Sequence, residues 1–204
     1  MDMPKDYSLI KKVLDKYFNF LKELGPYSFA FMTEFIPEAM LDKTKEHDDE
    51  GYSWWIPTPS TVTDKNISEL EALFGHPLPG SFKYFLQQRH FIELDLGGYD
   101  IRFFPNRPGE LAAVFKEKIV GYYGELAGRN YLPFADFNDF GVLCFDANKK
   151  VVDNEYALVM LDHEDGYERP EFYAKDFTHM FFEFDANLDE WMKNWAEKKA
   201  EGKK

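Results

Sequence analysis

Between residues 9 and 24 the apolar positions recur at the spacing of one helical face. Leu9, Ile10, Val13, Leu14, Tyr17, Phe18, Leu21 and Leu24 fall on it, and lysines and acids fill most of the gaps. This predicts an amphipathic helix, with Asp6 or Ser8 as its cap and Gly25-Pro26 as its stop. A second helix is expected where Ile67, Leu70, Leu73 and Phe74 share a face. Asn66 with Glu69 resembles a capping box, and Gly75 ends that helix. Pro77-Leu78-Pro79 then turns the chain into a further helix marked by Phe82, Phe85 and Leu86. Towards the end, Asp176 is a candidate cap for a helix through Phe182. Leu188, Trp191, Met192 and Trp195 mark a separate terminal helix with Asn187 as its cap, and the tail Lys198–Lys204 should fray.

Strand patterns occupy the middle of the chain. Phe91–Leu96 and Tyr99–Phe104 flank Gly97-Gly98, which reads as a hairpin turn. A helix is expected from Glu110 to Tyr122. Tyr131–Ala135 and Gly141–Asp146 should pair across Asn138-Asp139, with further strands at Tyr156–Asp162 and Glu171–Ala174. Residues 27–59 are less regular. Phe29, Phe31, Phe35 and Ile36 fit neither period, Glu46-His47-Asp48-Asp49-Glu50 reads as an acidic loop, and Trp54-Trp55-Ile56-Pro57-Thr58-Pro59 should be extended. Helices, then mostly strands, then helices argue for an α+β fold rather than a parallel βαβ one. Nothing in the 204 residues forces a domain cut, so one domain over 1–204 is expected.

Charge narrows the partner. Lys plus Arg number 24 and Asp plus Glu 37, a net −13 at neutral pH. Such a field repels phosphate backbones and anionic lipid, so neither nucleic acid nor a membrane is expected as a direct partner. A basic protein is what it attracts, although solubility alone also accounts for acidity. The single cysteine, Cys144, excludes an intramolecular disulfide. No stretch has the roughly 20 apolar residues of a membrane span, and the first residues lack the pattern of an export signal, so the expected compartment is the cytoplasm.

Catalytic signatures are sparse. The histidines at 47, 76, 90, 163 and 179 form no HExxH pair, and there is no Gly-x-Ser-x-Gly elbow and no phosphate-cradling loop. Asp162-His163-Glu164 is the nearest approach to a metal-dependent hydrolase site, and a solvated strand end is the commoner use of such residues. Cys144 sits between Leu143 and Phe145, as a buried inert thiol does. Neither an enzyme nor a cofactor is expected. The candidates for binding a partner are the steering acids Asp48, Asp49 and Glu50, the anchors Trp54 and Trp55, and the carboxylates Asp136, Asp139, Asp162 and Glu164. For the tryptophans the competing use is core packing by one ring and cover for a helix by the other.

The block Ile67–Leu86, with Leu70-Glu71, Gly75, Leu78-Pro79 and Phe85-Leu86, resembles the signature of the SUKH superfamily, the fungal cell-wall-assembly-regulator-like proteins. Tyr131–Asp136 and Gly141–Asp146 are similar to its second block, and Asp162-His163-Glu164 and Phe177–Phe181 to its end. The likeness spans about residues 55–185, with a helical extension over 1–54. Where the family usually has a glycine-rich turn after the Phe-Leu helix, this chain has Gln87-Gln88-Arg89-His90-Phe91. The resemblance implies a twisted, mainly antiparallel sheet flanked by N- and C-terminal helices. It also implies a non-enzymatic binding role: in bacterial members an immunity protein that neutralises a toxin, often a nuclease, and in fungal members a scaffold or regulator.

Overall fold

The computed structural model describes residues 6–96, 100–149 and 155–202. Helix α1 (Ser8–Leu24) opens the chain as its apolar face predicts, burying Ile10, Val13, Leu14, Phe18 and Leu21. The Asp6 carboxylate accepts from the Ser8 N–H at 2.8 Å, and this bond holds its pKa below the ordinary carboxylate value. A two-stranded antiparallel ribbon follows, β1 (Ala30–Met32) against β2 (Tyr52–Trp54). The irregular apolar spacing here has a physical cause: single turns of 3₁₀ helix at Pro26–Phe29, Thr33–Phe35 and Glu38–Met40 interrupt the extended segments, so neither period persists.

β3 (Thr58–Pro59) leads to α2 (Asp64–Phe74). Its capping box is real but begins three residues earlier than expected. Thr63 is the N-cap and Asn66 occupies the third helical position, the Asn66 Oδ1 accepting from the Thr63 N–H at 3.0 Å. Gly75 closes the helix at φ +70°, a left-handed conformation that glycine adopts without strain. α3 (Gly80–Leu86) carries Phe82, and β4 (Arg89–His90) pairs back on β3.

β5 (Ile101–Phe103) comes next. The segment before it joins by isolated bridges, Asp95 to Arg102 and Phe91 to Asn106, rather than as the expected continuous strand; the proposed turn at Gly97-Gly98 lies outside the described residues. The expected helix after it is α4 (Leu111–Lys118), a π-turn at Ile119–Tyr123 and α5 (Gly124–Gly128). β6 (Tyr131–Phe137), β7 (Gly141–Asp146), β8 (Leu158–Asp162) and β9 (Glu171–Ala174) complete, with β5, an antiparallel sheet in sequence order. Gly141 opens β7 in tight surroundings: a Cβ there would come within 3.1 Å of Met160 Sδ and 3.2 Å of the Leu161 carbonyl, so these neighbours would have to give way by a few tenths of an ångström.

The C-terminal helices expected to be separate are one, α6 (Phe177–Glu201). Asp176 caps it, accepting from the His179 N–H at 2.8 Å. Asn187 is interior, because Phe177, Phe181, Phe184, Leu188, Trp191 and Trp195 hold one face across it. The helix also takes in Lys198 and Lys199, whose charges complement its C-terminal dipole, so this part of the tail is ordered helix. It lies against α1: Phe20 meets Trp191 edge-to-face at 4.9 Å, and Lys16 bridges Asp185 at 2.7 Å and Asp189 at 2.6 Å. The architecture is α+β, with helices at both termini packed about an antiparallel sheet.

Phe82 is the hub of the core. Its ring lies within 5.0–6.3 Å of Phe85, Phe115, Phe134, Phe145 and Phe177, which joins the signature helix to β6, β7 and α6. Beside it is a buried polar junction. The Glu155 carboxylate, 4% exposed, accepts from the Ser81 N–H at 2.9 Å, the Ser81 hydroxyl at 2.5 Å and the Tyr7 hydroxyl at 2.9 Å. The entry to α1, the start of α3 and the approach to β8 are thus tied at one carboxylate.

Candidate partner interface

The nine residues picked out as contacts divide among three places. Trp55 is in the core, 1% exposed, packed edge-to-face on Phe18 at 6.2 Å and Phe29 at 5.3 Å. Its ring is unavailable to a partner, and of the tryptophan pair only Trp54, half-buried in β2, reaches the surface. Trp55 follows the last residue of β2 and continues it in extended form through its bridge to Leu41, so the two neighbouring side chains point to opposite sides.

Asp136 and Asp139 lie at one end of the sheet. They line a cleft of about 300 Å³ with Arg102, Lys118, Tyr123 and His163. Asp136 is already engaged: it accepts from Lys118 Nζ at 2.7 Å and from the Tyr123 hydroxyl at 2.7 Å. Burial, then that hydrogen bond to Asp136, pushes the Tyr123 pKa well above the ordinary phenol value. Lys118 also sits over the Phe104 ring at 5.0 Å. The adjoining turn follows β8. Asp162 accepts from the Glu164 N–H at 2.7 Å, which makes it a turn former, and Glu164 is exposed. This end of the sheet therefore mixes signs and is not an acidic patch. Among the described residues no three His, Cys, Asp or Glu side chains are grouped to hold a metal ion, so Asp162, His163 and Glu164 are not brought together as a set of metal ligands. Cys144 is 0% exposed, and burial raises its thiol pKa well above the ordinary value, which leaves it an unreactive core side chain.

Asp48, Asp49 and Glu50 stand at the tip of the ribbon. Asp48 shapes the turn, accepting from the Glu50 N–H at 3.1 Å and the Tyr52 N–H at 2.7 Å. Asp49 and Glu50 are exposed and make no ion pair among the described residues. Thr33 ties the tip together: its N–H and its hydroxyl both donate to the Gly51 carbonyl, at 3.0 Å and 2.8 Å. Sequence reasoning missed the aromatic half of this surface. Tyr27 is 79% exposed, and Met32 and Tyr52 are exposed beside Trp54. The signal that could have found them is the period-two pairing of β1 with β2, which the intervening turns obscure.

An antiparallel sheet in sequence order, wrapped by terminal helices and led by a capped helix and a Leu-Pro-started helix, defines a class of α+β fold. The chain belongs to the SMI1 / KNR4 family (SUKH-1), whose pattern it matches over residues 61–183, from the residues before α2 to the first turns of α6. No curated protein matches the chain. Among the described residues no helix is long and apolar enough to cross a membrane.

Proposed function

We propose that the protein is a non-enzymatic binding module, and specifically an immunity protein that neutralises a basic toxin such as a nuclease. Family membership is the observation that carries this reading, since bacterial members of the superfamily serve in toxin immunity. The net charge of −13 supports it: a nuclease must hold an anionic substrate and so presents the opposite sign. The burial of Cys144 and the engagement of Asp136 by Lys118 and Tyr123 accord with a surface that binds rather than reacts. Within this reading the family-matched residues and the N-terminal extension form one domain in the cytoplasm.

The test is co-expression with the product of the neighbouring gene, assayed first for toxicity on its own. The expected result is restored growth of toxin-producing cells and co-purification of the two chains. Continued killing in the presence of well-expressed, folded protein would overturn the immunity role.

A further inference from the structure

We infer that the outer face of the β1–β2 ribbon is the docking surface for the partner, and that it takes a basic protein face with an apolar centre; this rests on the protein-binding reading above. The strand register supplies the apolar part. Ala30 pairs with Trp54 and Met32 with Tyr52, so these four share one side, while the Phe31–Ser53 rung between them turns the other way and Ser53 is buried. Tyr27 extends the same side, its ring 6.3 Å from that of Trp54. Tyrosine, tryptophan and methionine are the residue types enriched at interface centres.

The charge around this face is predominantly negative. Residues 27–56 hold seven Asp and Glu against Lys43 and Lys45. Both lysines are satisfied internally: Lys43 meets Glu38 at 2.9 Å, and Lys45 meets Asp42 at 3.6 Å and lies over the Trp54 ring. Glu34, Glu46, Asp49 and Glu50 remain exposed, with no ion pair among the described residues. Glu34 follows β1 and Asp49-Glu50 precede β2, so these acids flank the Met32–Tyr52 rung. An apolar centre with a carboxylate rim is complementary to a partner presenting Lys and Arg around an apolar patch. The sheet-end cleft offers less free negative charge, because Lys118 takes up Asp136 and Arg102 stands beside Asp139 in its lining. The ribbon also precedes the family-matched residues, so partner choice is separable from the shared framework.

Two measurements decide the matter. The first needs no toxin. Amide shifts of the labelled protein are followed as lysozyme, a basic protein probe, is added at low salt. Shifts concentrated in residues 27–56 are expected, and shifts centred on the sheet end or on α6 would overturn the assignment. The second uses an inactivated form of the toxin that the co-expression test identifies. Tyr27→Ala and the pair Asp49→Lys with Glu50→Lys should each weaken binding by about tenfold or more. Asp139→Lys with Glu164→Lys should leave it within about twofold, as expected for charges outside the contact. Thermal unfolding of each variant checks that it is folded. If the wild-type chain protects cells and the ribbon variants protect equally well, the docking surface is wrong and the immunity role stands. If the wild-type chain gives no protection, the immunity role falls, and the lysozyme map still decides where a basic protein binds.

Discussion

Phe82 and Tyr27 are both aromatic and both sit in short helical turns, yet the molecule uses them in opposite ways. Phe82 is 1% exposed and touches rings from α3, α4, β6, β7 and α6; Tyr27 is 79% exposed and, among the described residues, has only Trp54 as a ring neighbour. The same contrast holds for charge. Asp136, in the family-matched part, is bound by Lys118 and Tyr123, while Asp49 and Glu50, in the ribbon, have no counter-ion among the described residues. One region consumes its aromatic and charged groups internally, and the other leaves them outward. Counting acids in the sequence therefore overstates the acidity available to a partner at the sheet end.

The sharpest way to break this contrast is to truncate one residue on each side. Phe82→Ala should cost about 3–5 kcal/mol, since it removes a ring that several elements pack on and leaves a cavity they cannot all close. Tyr27→Ala should change stability by less than about 0.5 kcal/mol, as expected for an exposed side chain. Urea unfolding of the two variants measures both. A loss of comparable size at Tyr27 would mean that the ribbon is part of the folding core and that its aromatics are not held out for a partner.

A smaller effect tests whether the framework also hides its polar groups. His90 is 1% exposed. Its Nε2 receives the Thr61 N–H at 2.8 Å, so that nitrogen holds a lone pair and the proton is on Nδ1, which donates to the Asn106 carbonyl at 3.0 Å. Burial lowers its pKa below the ordinary 6.5. The sign follows: below about pH 6.5 the unfolded chain takes up a proton that the folded chain refuses. His90 thus contributes stability that is complete above that pH and declines as the pH falls towards the folded value, by at most about 1.4 kcal/mol per pH unit. Glu93 works in the opposite sense, because burial raises its pKa. The clean measurement is therefore the difference between the wild-type chain and His90→Gln, whose amide can still accept and donate. That difference should shrink as the pH falls from 7 to about 5. A constant difference would mean that His90 titrates alike in the folded and unfolded chains.

How much of this was legible beforehand depends on how local the determining pattern is. α1, β7 and β9 follow from their own residues, and Asp176 was found as a cap because its partner is three residues away. Asn187 misled because it resembles a cap, while Phe181, Phe184, Leu188 and Trp191 carry the helical face straight past it onto α1. The candidate surface divides in the same way. Asp49 and Glu50 were visible as an acidic run. The pairing of Lys118 with Asp136 crosses from α4 to β6, the burial of Trp55 depends on α1, and the exposure of Tyr27 and Met32 depends on a ribbon closed by a loop of nearly twenty residues. No local pattern reports such contacts.

The smallest expected effect concerns the ribbon acids in the absence of any partner. Glu46, Asp48, Asp49 and Glu50 lie within one short stretch, and like charges so placed repel one another. Reversing Asp49 and Glu50 to lysine removes part of that repulsion and, among the described residues, disturbs no hydrogen bond of their side chains. Stability should therefore stay within about 0.5 kcal/mol, with a slight gain at low ionic strength. The gain should vanish between about 20 mM and about 500 mM salt, because the screening length falls below the spacing of exposed charges. Asp48→Lys is the contrasting variant: it removes the carboxylate that accepts from the Glu50 and Tyr52 N–H groups, so it should destabilise the ribbon at every salt concentration. Urea titrations of both variants at the two salt levels check this. A loss above about 1 kcal/mol for the Asp49 and Glu50 pair would show that those acids hold the ribbon together, and the outward charge that distinguishes it from the sheet end would then be structural.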